Sequence, residues 1–193
     1  MLFPRPMAFG FALVVLAAFT ALPARAGLLP VAVTVTPESG KFRWTYSVTL
    51  PSDTALQAGN YFTIYDFNGF VSGASGAPAG WTLSTPMTGP SLPYINVPDD
   101  STVENLVWTY TGPTIPAGRV QLGEFWVTSL SGASEDGVFV GHNMRSKDHK
   151  PDTNVTETRI PVPAPPGVPE PSTLVLAGIG LSAFGLLRRA RRA

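Results

Sequence analysis

Two histidines, His142 and His149, stand seven residues apart in the polar run His142-Asn-Met-Arg-Ser-Lys-Asp-His149, with Ser146 and Asp148 between them. Imidazole, hydroxyl and carboxylate are the groups of nucleophilic hydrolysis, and imidazole is also a common metal ligand. The spacing serves neither chemistry. Two histidines that hold one metal from a single helix recur at i and i+4, and a zinc set here would have no thiolate to call on because the chain has no cysteine. No Gly-x-Ser-x-Gly elbow is present, and the members of a catalytic triad meet through the fold rather than by closeness in sequence. The run reads as a solvated loop. No catalytic residue, cofactor or metal site is expected, and the chain is expected not to be an enzyme.

Asp99-Asp100 and Glu135-Asp136 are the acidic pairs, both placed by their surroundings in loops. Carboxylate oxygens suit calcium, but neither pair has the alternating spacing of an EF-hand loop, so turn acids facing water are expected. Trp81, Trp108 and Trp126 offer flat rings on which a sugar could stack, although tryptophan is more often a core residue. Asn154-Val155-Thr156 has the form of a glycosylation acceptor, a formal match that is given little weight.

The remaining chemistry is that of a substrate. Val168-Pro-Glu-Pro-Ser-Thr173 precedes the uncharged segment Leu174–Leu187, and Arg188-Arg-Ala-Arg-Arg192 follows it. An apolar cylinder of this kind belongs in a bilayer. Its fourteen residues would span ~21 Å of a ~30 Å hydrocarbon core, which makes residues 172–187 a short transmembrane helix and a weak anchor. The arginines of residues 188–193 favour the cytoplasmic side. Ahead of it, residues 161–171 hold six prolines and one charge, Glu170; proline locks φ and excludes helix, so an extended arm is expected. At the other end, Arg5, the apolar run Met7–Leu22 and Ala24-Arg25-Ala26 compose a signal peptide over residues 1–26, with cleavage by signal peptidase after Ala26 leaving Gly27 first.

The order of these parts resembles the PEP-CTERM proteins, bacterial exported proteins with a signal peptide, a variable body and a short C-terminal sorting segment. Val168 to Thr173, the apolar stretch Leu174–Leu187 and the cluster Arg188–Arg192 carry the resemblance. It implies processing by exosortase, an integral-membrane cysteine peptidase or transpeptidase acting near the motif, with Pro169, Glu170 and Pro171 as substrate residues. It also implies a destination at the cell surface or in an exopolysaccharide matrix. Tyr61-Phe-Thr-Ile-Tyr-Asp-Phe-Asn-Gly-Phe70 and Asn105-Leu-Val-Trp-Thr-Tyr-Thr-Gly-Pro113 are similar to body segments of a subset of these proteins.

What must position everything else is the body, residues 27–160. From Gly27 to Pro169 there are seven basic and twelve acidic residues, a formal charge of −5, which argues against nucleic-acid binding. Without disulfides, stability rests on one packed core. Phe42, Trp44, Tyr46, Val48 and Leu50 alternate with Arg43, Thr45, Ser47 and Thr49, a strand with one buried face. Further strands are expected at 29–36, 61–67, 81–84, 104–110, 119–128, 138–141 and 155–160, with Val120, Leu122 and Trp126 on one face. Asn68–Gly80 and Pro86–Ser101, rich in Gly, Pro and Ser, read as mobile loops. Seven or eight short strands and no helical period favour an antiparallel β-sandwich, flanked by the signal helix and the short transmembrane helix. Two functions fit: a non-catalytic exported surface or matrix protein, or a carbohydrate-binding module or hydrolase-like protein with the same sorting tail.

Overall fold

The alternation from Phe42 to Leu50 becomes the centre of a sheet. The computed structural model describes residues 27–92 and 95–163, and the only regular elements among them are strands. These are β1 (Leu29–Glu38), β2 (Lys41–Leu50), β3 (Thr54–Ala55), β4 (Tyr61–Ile64) and β5 (Phe70–Gly76), followed by β6 (Trp81–Ser84), β7 (Leu106–Tyr110), β8 (Val120–Ser129), β9 (Ser134–Arg145) and β10 (Pro151–Pro161). They form two antiparallel sheets. One has four strands in the order β1-β2-β8-β5; the other has six, running β10-β9-β4-β7-β6, with β3 continuing along β9 beside β4. The expected signal helix (1–26) and transmembrane helix (172–187) lie outside the described residues. Among the described residues, no helix is long and apolar enough to cross a membrane.

The inner faces of the two sheets share one core. Trp44, Tyr46, Val48 and Leu50 of β2 and Phe125 and Val127 of β8 meet Phe62 and Ile64 of β4, Leu106 and Trp108 of β7 and Phe139 of β9. Phe62 is the hub. Its ring centroid lies 4.8 Å from that of Phe125 across the sandwich, edge to face, and within 5.5 Å of those of Trp81, Trp108 and Phe139 in its own sheet. Offset and edge-to-face pairs each add ~0.5–1.5 kcal/mol beyond the area they bury. Polar ends of core rings are carried to backbone carbonyls: Trp44 Nε1 donates to Ser131 O (2.9 Å) and Tyr46 Oη to Arg159 O (2.9 Å), a bond from one sheet to the other.

Local chemistry sets the turns. β1 and β2 are joined by Ser39-Gly40 alone, and both adopt positive φ (49° and 76°), the type I′ geometry whose twist matches the flanking strands. At the start of the body Leu28 is fully buried, and its carbonyl accepts a bond from Asn154 Nδ2 (3.3 Å). The acceptor-like Asn154 therefore faces inward along β10, engaged with the chain's own backbone.

Several expectations are corrected. Among the described residues ten strands form rather than seven or eight. Asn68–Gly80 is not a mobile loop throughout, because Phe70–Gly76 pairs with β8 as an edge strand, irregularly, with a register shift between Phe70 and Ser75. The strands expected at 138–141 and 155–160 extend to twelve and eleven residues; their outer ends are polar because one face meets water, which hides them from a hydrophobicity reading. Trp126 does not share a face with Val120 and Leu122. Val48 pairs with Gly123 and Thr49 with Gln121, so Leu122 is the extra residue of a β-bulge, and alternation changes phase there. Past the bulge Phe125 and Val127 point inward, and Trp126 points out.

Candidate functional site

The sequence-derived chemical groups are dispersed by the fold. His142 sits inside β9, not in a solvated loop, because the sheet continues to Arg145. Its ring stacks on Tyr61 of neighbouring β4 (4.9 Å, 22° between planes), and Nδ1 lies 3.1 Å from Thr153 Oγ1 of β10. Partial burial holds its pKa below the ordinary 6.5, opposed by the Asp152 carboxylate. His149 occupies the β9–β10 turn with φ 53°, and its N–H donates to Arg145 O (3.0 Å). Ser146 Oγ donates to Asp53 O (2.6 Å), while the Asp148 carboxylate accepts from Arg145 Nη2 (3.0 Å). The hydroxyl is thus committed to the β2–β3 connection and the carboxylate to the turn itself, and the two imidazoles belong to different elements.

Asp99 and Asp100 lie in a loop, as expected, and fasten it. Asp99 Oδ2 accepts from Gly89 N (2.8 Å), and its Oδ1 accepts from Nδ2 of the fully buried Asn105 (2.9 Å). Asn105 Oδ1 accepts from Asp66 N (2.9 Å), and Asp66 Oδ1 accepts from Asp100 N (2.9 Å). Asp66, at φ 53°, has its pKa raised by burial and by the neighbouring Asp99 and Asp100 charges, against a bond from the Asp100 backbone that lowers it. Asp100 is held below the usual range by two hydrogen bonds from Thr102. A cavity of about 250 Å³ opens beside this clamp, between Tyr65, Thr88, Leu92, Asn96 and Asp99. Tyr65 donates to Pro90 O (3.2 Å), and burial, then the charges of Tyr61, Asp99 and Asp66, push its phenol up to about 12. Glu135 and Asp136 are not in a loop: both lie in β9, where Asp136 pairs with Arg159 of β10 at 3.2 Å. Among the described residues, no three histidine or carboxylate side chains are placed to hold a metal ion.

The three tryptophans share no surface. Trp108 is fully buried under Phe62, and Trp81 packs on Tyr110 and Phe125 at the edge of the core. Trp126 lies on the outer face of the other sheet, where the Arg43 guanidinium stands 4.1 Å from its ring centroid. Glu38 grips that guanidinium through two bonds, from Nε (2.7 Å) and Nη2 (2.8 Å), a fork that fixes its plane. On β5, Gly76 has no side chain, and any Cβ there would overlap the indole. A recess of about 220 Å³ is bounded by Trp126, Ala74, Thr128, Arg43, Lys41 and Glu38. Sequence reasoning missed Arg43 and Glu38 in this role. Arg43 is legible as an outward position on β2, but its meeting with Trp126 depends on the unread bulge.

This recess is at the end of the sandwich from which the chain departs toward the proline arm. β10 runs through Pro161, one residue past the expected end of the body, and Val162 N still donates to Ala133 O (3.0 Å). Ala133 belongs to the short β8–β9 connection, whose Gly132 packs on the Phe42 ring, next to Lys41 and Arg43. The sorting residues Pro169, Glu170 and Pro171, and the cleavage-site residues Ala24 and Ala26, lie outside the described residues. No curated protein matches the chain. Residues 167–192, however, match the family model of the PEP-CTERM protein-sorting motif, and the chain that leaves β10 therefore carries a PEP-CTERM sorting segment, the mark of an exported exosortase target.

Proposed function

We propose that this is a non-catalytic exported protein, delivered across the inner membrane, held briefly by its C-terminal segment with the arginines in the cytoplasm, and cut by an exosortase-type peptidase close to Pro169-Glu170-Pro171. The matched sorting motif at 167–192 is the observation that carries this reading. Signal peptidase removes residues 1–26 in the same scheme, and the acidic β-sandwich is the cargo, destined for the cell surface or the extracellular matrix and its exopolysaccharide. The body suits that use: a core shared by two sheets and turn acids bound to their own loops make a stable unit that needs no disulfide outside the cell. Replacing Glu170 with alanine in cells that contain the processing enzyme should leave full-length, membrane-held protein in place of the cut form. Release at the wild-type level would overturn the assignment.

A further inference from the structure

We propose that the recess beside Trp126 is the intramolecular seat of the chain's own Pro169-Glu170-Pro171 segment. The recess has an apolar wall, Trp126 and Ala74, and a charged rim of Lys41, Arg43 and Glu38 that carries one net positive charge. Glu38 occupies two of the Arg43 N–H groups, whereas Lys41 has no carboxylate within salt-bridge distance among the described residues. The required occupant therefore has apolar rings around a single negative charge. From Pro161 to Pro171 the sequence supplies one such place: Glu170 is the only charge in the arm, and it has proline on both sides. Proline-rich segments commonly dock on aromatic-lined grooves because their backbone is already restricted.

Reach permits it. From Val162 the surface path passes by hydrogen bond to Ala133, along the chain to Gly132, across a packing contact to Phe42 and on to Lys41. Those steps add to roughly 20 Å. Glu170 lies seven residue steps beyond Pro163, and extended proline-rich chain covers ~3.1 Å per residue, ~22 Å in all. A shallow recess of about 220 Å³ would bind a free ligand weakly. A short tether raises the local concentration of its own segment to the millimolar range, so weak contacts suffice. Seated in this way, the cleavage motif is covered by the folded body, and processing waits on its release.

The test uses the full chain in detergent micelles without any processing enzyme, so its outcome is independent of whether the motif is cut. A zero-length carbodiimide joins a carboxylate to an amine in contact with it, and the chain has only three lysines, Lys41, Lys147 and Lys150. Peptide mapping of the monomer should find Glu170 joined to Lys41, with yield falling at least about fivefold in Trp126→Ala and in Ala74→Glu, the latter a surface change on an edge strand that spares the core. Coupling spread over all three lysines, coupling found only in dimers, yield unaffected by both substitutions, or no Glu170 coupling would each overturn the proposal.

Discussion

Gly76 shows how one missing side chain governs a surface. The Trp126 indole lies against its backbone while Arg43 stands over the ring, so Gly76→Val must push the indole away. Overpacking of this kind costs ~1–3 kcal/mol; this half-exposed site should fall near ~1 kcal/mol, read as a lower denaturation midpoint with altered tryptophan emission. His142 makes a prediction of opposite character. Its folded pKa lies below the unfolded 6.5, so the unfolded chain takes up the proton first; its contribution to stability is complete above pH 6.5 and declines as pH falls toward the folded value. Melting temperature should drop as pH falls below 6.5 in the wild type and drop less in His142→Phe, which keeps the stack on Tyr61. An identical slope in both proteins would assign the pH response to other groups.

At the scale of elements, the aromatic layer joins the two sheets. Phe62 touches rings from β6, β7, β8 and β9, and Phe62→Ala should cost ~3–5 kcal/mol in urea unfolding. Because Phe125 packs on the same ring, the Phe62→Ala/Phe125→Ala double variant should lose less than the sum of the single losses. Much of this layer is legible in the amino-acid sequence: alternation along β2 and β7 announces buried faces, and Trp81–Ser84 emerges with the expected bounds. What stays hidden has physical causes. β5 is Gly/Ser-rich and pairs irregularly with β8, and β9 and β10 carry polar residues on a face open to water. The bulge at Leu122 is signalled only by Gly123, and a one-residue slip sends every later side chain to the other face. The Asn105 clamp joins residues far apart in sequence, which local spacing cannot announce.

For the molecule as a whole, composition and the two end segments point to the route, whereas the shape of the body depends on pairings between distant strands. The processed form, expected to begin at Gly27 and to end near the Pro169–Pro171 motif, should behave as an acidic protein. Intact-mass measurement of the exported form checks both ends at once, and a first residue other than Gly27 would refute cleavage after Ala26. The strand that hands the chain to its membrane segment adds something of a different kind. β10 lies along β9 through eleven paired positions, from Pro151 to Pro161, and Val162 adds a further bond to Ala133. A pull applied at Pro161 along the direction of β10 would load its ladder in shear, many bonds together, instead of peeling them singly. Such a pull would meet the whole β9–β10 ladder, with the Val162 bond beside it, before the edge strand left the sandwich.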